Sequence, residues 1–194
     1  MDSRTNLSII IPNHNEKLIY EVVNWCEFYF PKSQIIVIDD RAGRGKGWAL
    51  REGFNKSTKD IIVFIDGDMD ISPSEIWKLL VENADIVVGK KILPKNFMRK
   101  MITFFSRKLI KLLFRLPISD TQTGLKMFKR NAISTWQENG FMCDIEILHN
   151  AYSRGFSIKE VFVNATTSKN KSIKQVVQCL LETICLWYRL SFLL

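Results

Sequence analysis

The sequence predicts an α/β fold: a mostly parallel sheet flanked by helices. Two observations predict it. In the first 90 residues, short apolar runs alternate with segments of helical spacing. The runs are solidly apolar and β-branched instead of alternating with polar residues, which is how strands covered on both faces read. A third observation gives the sheet a working edge. Three runs end in the polar stretches Pro12 to Glu16, Asp39-Asp40 and Asp66 to Asp70. Ligands of open α/β sheets bind at that carboxyl edge.

The elements follow in order. Leu7 to Pro12 reads as a strand stopped by proline. Residues 16–30 have helical spacing through Leu18, Val22, Trp25 or Cys26, and Tyr29, and Pro31-Lys32-Ser33 makes a turn. Gln34 to Ile38 is a second buried strand, and the turn after Asp39-Asp40 is glycine-rich at Gly43, Gly45 and Gly47. Trp48 to Asn55 reads as a short helix and Ile61 to Ile65 as the third strand. Ser72-Pro73-Ser74-Glu75 predicts a helix start, with Glu75 in capping-box position. Ala84 to Gly89 is a fourth strand. In the second half, residues 97–116 form a basic, apolar helix and residues 120–130 a polar, glycine-containing segment. Residues 141–155 read as a helix, 157–163 as a strand, and 169–174 as a basic loop before an apolar terminal helix.

At 194 residues this is one domain, spanning 1–174, with a C-terminal helix at 175–194 packed on it or lying at a membrane surface. The formal charge of +8 favours an anionic partner: a phosphate-rich ligand, an acidic membrane or nucleic acid. No basic-aromatic module supports nucleic acid. The four cysteines form no CxxC pair, and two histidines make no zinc pattern, so a reduced, cytosolic setting is expected. Neither a signal peptide nor a membrane span of ~18 uncharged apolar residues is expected. The most apolar stretch, Cys179 to Leu194, carries Glu182 and Arg189.

Asp66-Gly67-Asp68 carries the sharpest chemical signal. Two carboxylates two residues apart on an extended segment face one side, and an apolar run does not absorb them without a partner. Carboxylate oxygens suit a hard cation, Mg²⁺ or Mn²⁺, with Asp70 as a third acid. A surface turn is the plainer interpretation, since Asp-Gly is common there. Asp39-Asp40 also resembles the acid cluster of phospho-receiver domains, but a whole strand-helix unit precedes it here. Gly43-Arg44-Gly45-Lys46-Gly47 is either a phosphate cradle at a helix start or a flexible turn. It is not a Walker loop, since Asp40 stands where the first glycine belongs. On the helix at 97–116, Lys100, Arg107, Lys111 and Arg115 share one side, and Met98, Met101, Phe105, Leu109, Leu112 and Leu116 another. That pattern fits a membrane-surface helix or a core-facing helix with a solvated cationic side.

Taken in order, IIIPNHNE, IIVIDD, GRGKGWALREGF, IVFIDGDMDISP, ADIVVGKK, DTQTGLKMFKR and GFMCDIEIL with IKEVFV resemble the family 2 glycosyltransferases of GT-A fold. The nearest branch is similar to dolichol-phosphate mannose synthase and the polyprenyl-phosphate sugar transferases. The resemblance implies that Pro12, His14 and Glu16 surround a nucleotide-sugar and that Asp40 contacts its base. It implies that Asp66, Gly67 and Asp68 hold a metal and the diphosphate, with Asp70 on the metal side. Lys91 and Arg99 are implied to grip the acceptor lipid phosphate, and Asp120 with Thr123-Gly124 to lie beside the reacting centre. Lys46, Lys169 and Lys171 would stabilise the donor diphosphate. The chain departs from the family in lacking the usual helix and strand between Asp40 and Lys46, so its sheet is shortened there.

The implied function is inverting, metal-dependent transfer of a sugar from GDP-mannose or a UDP-hexose to a polyprenyl phosphate. It would take place peripherally, on the cytoplasmic face of an anionic membrane, where a membrane-protein partner is also expected. Two other readings stay open: transfer to a non-lipid glycan, and non-catalytic nucleotide-sugar binding. A nucleotidyltransferase would carry a glycine-rich, arginine-containing motif where Pro12 to Glu16 stand.

Overall fold

A computed structural model describes residues 6–92, 97–166 and 173–192. In chain order the elements are β1 (Leu7–Asn13), α1 (Ile19–Tyr29), β2 (Gln34–Asp39), α2 (Lys46–Lys56), β3 (Ile61–Ile65), α3 (Ile76–Leu80), β4 (Ile86–Lys90) and α4 (Phe97–Phe114). These are followed by β5 (Leu125–Lys129), α5 (Cys143–Ser153), β6 (Ile158–Phe162) and α6 (Ile173–Phe192).

The strands form one six-stranded sheet in the order β2-β1-β3-β5-β4-β6. β1 pairs parallel with β2 and β3, and β4 parallel with β6. Only β5 runs antiparallel, between β3 and β4. The sheet is therefore the mostly parallel one expected, and β2 stands at its edge.

The period-2 alternation of a strand explains the two cores. Ile10, Ile62, Phe64, Ile86, Val88 and Phe128 face one way, toward Ala49 and Leu50 of α2, Ile110 and Phe114 of α4, Ile145 of α5 and Leu186 of α6. Ile9, Ile11, Val63, Ile65, Val87 and Met127 face the other way, toward Val22 and Cys26 of α1 and Ile76 and Leu79 of α3. Each fully buried aliphatic side chain stabilises the fold by about 1.5–3 kcal/mol. Cys26 is a buried free thiol that burial, with the charge of Glu27, pushes up to about 12. α2 crosses β1 so closely that a Cβ on Gly53 would run into Ile10. That approach fixes the height at which the first turn of α2 meets the sheet rim.

Several elements differ from expectation. β5 lies inside the segment read as polar. Lys126 masks it: on a strand it should face solvent, yet it is 1% exposed because it is paired with an acid on α5. β1 continues through Pro12, which sits beside Ile38 of β2. α2 starts at Lys46, not Trp48, and α6 at Ile173. Ser72 does cap the 3₁₀ turn Pro73–Glu75, accepting the Ser74 N–H, but Glu75 does not reach back to it. Its carboxylate instead accepts from the backbone and side chain of Asn164 and pairs with Lys78.

α4 is rotated from the face assigned to it. Ile110 and Phe114 are buried, whereas Met101, Phe105 and Leu112 are exposed. Arg107 turns inward, with its side chain 16% exposed. Leu186 of α6 enters the core, and Arg189 reaches Glu138 and Glu146 at 3.0 and 3.2 Å. Among the described residues no helix is long and apolar enough to cross a membrane.

Candidate active site

The parallel strands deliver their ends to one rim. β1 brings Pro12 and Asn13, β2 brings Asp40, β3 brings Asp66, and β4 brings Lys91. Because β5 is antiparallel, its entry segment, Asp120 to Gly124, reaches that same rim. The Asp66 N–H donates to the Gly124 carbonyl at 3.1 Å, and the Asp40 N–H to Asn13 at 2.8 Å.

At the centre, Lys46 Nζ lies 2.9 Å from Asp66 Oδ1 and 3.3 Å from Asp144 Oδ2. The other oxygen of Asp144 is 2.9 Å from Lys126 Nζ, and Lys126 also donates to the Thr123 carbonyl. Burial by itself would raise the pKa of Asp66. The charge and hydrogen bond of Lys46, with Lys126 and Lys91, reverse this and hold it below the usual carboxylate range. Burial would likewise lower Lys46, but Asp144 and Asp66 raise it above the ordinary lysine value. Asp66 is thus ionised and Lys46 charged at neutral pH. Glycine at 124 leaves room for this pair, since a Cβ there would overlap the Asp66 carboxylate.

The glycine turn is built around Asp40, which is 3% exposed. Its carboxylate accepts the N–H groups of Arg44 and Gly45 at 2.9 and 2.6 Å. Burial works against the charged form, but these N–H groups and Arg44 outweigh it and lower the pKa. Gly45 has φ 107, a conformation that favours glycine, and caps α2. The N–H groups of Gly47 and Trp48 donate to the Asn139 carbonyl at 2.6 and 3.3 Å. Of the two readings of this segment, phosphate cradle and flexible turn, the structure shows a closed turn: the N–H groups of Gly43, Arg44, Gly45 and Gly47 serve Asp40 and Asn139, and Lys46 is what it presents to the rim. Asp40, expected at the base, has both oxygens on this turn. His14 Nδ1 lies 2.8 Å from the Asp40 carbonyl. Glu16 follows the left-handed Asn15 (φ 57), and its N–H donates to Asn13 Oδ1 at 3.0 Å. Gly67 tucks beside the Pro12 carbonyl and Ile19.

The expected metal set does not converge. Asp68 Oδ1 accepts the Asp70 N–H at 3.1 Å, and the Asp70 carboxylate pairs with Lys91. Among the described residues no group of three or more histidine, cysteine, aspartate or glutamate side chains is placed to hold a metal. What remains at the rim is Asp66, ionised, and Asp68 two residues on. Their hard oxygen donors fit a divalent cation, provided a ligand or water fills the other positions.

Beside it stands a second cluster. Asp120, 7% exposed, accepts from Arg107 and, at 3.1 Å, from the Lys91 N–H. Glu160 on β6 accepts the N–H groups of Ser119 and Asp120 and pairs with Lys90 at 3.0 Å. Lys91, expected on the acceptor phosphate, and Asp120, expected beside the reacting centre, are neighbours here. The Arg99 side chain, Lys169 and Lys171 lie outside the described residues.

Sequence reasoning missed Lys126, Asp144, Arg107 and Asn139 as parts of the site. Asp144 lies 98 residues from Lys46. The available signal was a pair of acids, Asp144 and Glu146, in the first turn of a helix that is otherwise apolar there.

Residues 26–136 match the family described as glycosyl transferase family 2. The chain belongs to that family. Among its relatives is a dolichyl-phosphate beta-glucosyltransferase of Trichomonas vaginalis, 26% identical over 215 residues, 98% of this chain and 65% of the relative. A dolichyl-phosphate beta-glucosyltransferase of Dictyostelium discoideum is 27% identical over 155 residues, 70% of this chain and 47% of the relative. The family 2 chain thus spans about two thirds of the first and about half of the second. A solved structure with the same fold is glucosyl-3-phosphoglycerate synthase from Mycobacterium tuberculosis with UDP, TM-score 0.76 at 19% identity, covering 95% of this chain and 79% of that one. The same enzyme with Mn²⁺, UDP-glucose and glycerol 3-phosphate superposes with a TM-score of 0.74 at 19% identity, covering 94% and 80%. These are GT-A glycosyltransferases, so the sheet described above is the GT-A sheet.

Proposed function

We propose that this protein transfers a glucosyl group from UDP-glucose to a polyprenyl phosphate at a membrane surface. The observation that carries the reading is the ionised Asp66 held against Lys46 at the carboxyl rim. There a carboxylate and an ammonium meet where a nucleotide diphosphate is bound in open α/β sheets. The relatives' names support a lipid phosphate acceptor, and the UDP-glucose complex of the structural neighbour supports the donor.

Asp66 and Asp68 would hold Mn²⁺ or Mg²⁺, which would neutralise charge on the departing diphosphate. Lys46 supplies positive charge on the same side, pre-set by its two carboxylates. The closed turn of Gly43 to Gly47 fixes the backbone from which that ammonium reaches the rim. Pro12, His14, Glu16 and Gly67 would form the donor side, and the family resemblance implies that Lys169 and Lys171, outside the described residues, would add positive charge toward the diphosphate.

A polyprenyl phosphate is already an anion, so its oxygen needs positioning and not a base. Lys91 and Arg99 would orient it. Asp120 would act through Lys91: it fixes the Lys91 backbone at the end of β4 and is itself fixed by Arg107. Attack from the side opposite the diphosphate inverts the α-linked donor, in keeping with the beta products in the relatives' names.

The exposed side of α4 would rest on an anionic membrane. It carries Phe97, Ile102, Phe104 and Phe105, with Lys100 and Lys108 also exposed. Aromatic rings and lysines side by side suit the headgroup boundary.

Thermal unfolding tests the donor. UDP-glucose with Mn²⁺ at 100 times its dissociation constant should stabilise the protein by ~2.7 kcal/mol, and GDP-mannose by much less. No metal-dependent shift with any nucleotide-sugar contradicts the reading. Stabilisation without turnover on lipid phosphate points to a glycan acceptor or a binding protein.

A further inference from the structure

We propose that the buried Asp144–Lys126 pair is a seat that lets Lys46 release Asp66 to a divalent cation and stay beside it. The inference rests on the cation reading above and assigns work to two residues which that reading leaves idle. Asp144 and Lys126 are 3% and 1% exposed, deeper than either rim residue. The Lys46 side chain is itself only 11% exposed.

A shielded ammonium with a single counter-ion cannot surrender it, because an unpaired buried charge is strongly unfavourable. A cation arriving at Asp66 would then face a competitor with nowhere to go. Asp144 removes that obstacle. Its Oδ2 already stands 3.3 Å from Lys46 Nζ, against 2.9 Å to Asp66 Oδ1. Lys46 can therefore lean back onto Asp144 and remain paired.

Lys126 makes the seat usable. It balances Asp144, so that two acids and two lysines close the chain of charges without excess. It engages Oδ1 at 2.9 Å, leaving Oδ2 turned toward Lys46. It also donates to the carbonyl of Thr123, the residue before Gly124 under Asp66. The seat and the floor of the Asp66 carboxylate are thereby tied together. Asp144 and Lys126 act through Lys46 and are positioning residues.

The test is Mn²⁺ affinity of the nucleotide-free protein, followed by the electron paramagnetic resonance signal of free Mn²⁺. Lys46→Met removes the competitor and should tighten binding on the order of tenfold. Replacing the pair together, Asp144→Asn with Lys126→Met, avoids a lone buried charge and leaves Lys46 only Asp66. Binding should weaken on the order of tenfold. Adding Lys46→Met to that double variant should restore it, a rescue that a purely structural role for the pair would not give. An unchanged double variant, or a triple variant as weak as the double, overturns the proposal. If the double variant does not fold, Lys46→Met alone decides: binding that fails to tighten overturns it. A wild-type protein that binds no Mn²⁺ overturns the cation reading as well, which separates the two failures.

Discussion

Gly124 lies directly against the carboxylate of Asp66: a Cβ on Gly124 would overlap Oδ2, and the Asp66 backbone N–H donates to the Gly124 carbonyl at 3.1 Å. The ionised acid of the rim is thus backed by a strand that runs opposite to its own. Gly124→Ala should push the carboxylate off Lys46. Displacement of about 1 Å costs roughly a hundredfold in rate. Steady-state kinetics on Gly124→Ala should show that loss in kcat/KM with a small change in Tm.

Lys46→Met separates binding from catalysis. The variant should bind Mn²⁺ more tightly, yet lose about 10²–10³ in kcat, because the charge facing the departing diphosphate is gone. Transfer assays at saturating metal check this. A variant with normal kcat would place Lys46 outside the chemistry.

Among the described side chains, the cations of α4 divide into two sets. Lys100, Lys108 and Lys111 are exposed, and Arg107 is turned onto Asp120. Replacing the three lysines by glutamine should weaken binding to anionic vesicles by roughly a hundredfold, at ~1 kcal/mol per lysine. Arg107→Met should leave vesicle sedimentation unchanged. It should lower stability by about 2–3 kcal/mol, because Asp120 keeps its burial and loses its counter-ion. Denaturant titration and sedimentation together tell the two apart.

Asp85 gives the fold an acid-sensitive clasp. Its carboxylate accepts from the Ser157 hydroxyl and N–H at 2.6 and 3.0 Å and pairs with Lys129 at 2.9 Å, joining the starts of β4 and β6 to the end of β5. The Ser157 hydrogen bonds first, then Lys129, pull its pKa down to about 2. A depressed folded-state value stabilises the protein above the unfolded pKa of about 4, and the benefit is lost as pH falls toward 2. Allowing for partial exposure, Asp85→Asn should cost about 1–2 kcal/mol at pH 7. Urea midpoints of the two proteins should converge near pH 2.

The apolar runs at 9–11, 35–38, 61–65 and 86–88 made four of the parallel strands and the rim legible, because burial on both faces leaves a continuous β-branched signal. β5 escaped because its inward Lys126 is neutralised by an acid that only tertiary structure brings near. Asp66 and Lys46 were readable as a carboxylate on a strand end and a lysine in a glycine turn. Their contact was not, and neither was the rotation of α4. That helix is apolar on more than one side, and the ion pair of Arg107 with Asp120 decides which side turns inward. The partner of Asp70 was hidden for a related reason: spacing puts it near Asp66, while the ion pair it makes is with Lys91, beyond the end of another strand.

The central claim is that Asp66, through a divalent cation, receives the departing nucleotide while a lipid phosphate takes the sugar. Radiolabelled UDP-glucose, Mn²⁺ and vesicles containing polyprenyl phosphate test it most directly. Label should appear in the lipid phase and be abolished by a chelator and by Asp66→Asn. Label that stays with the nucleotide in the wild-type protein, or transfer that is indifferent to both the chelator and the substitution, would contradict it.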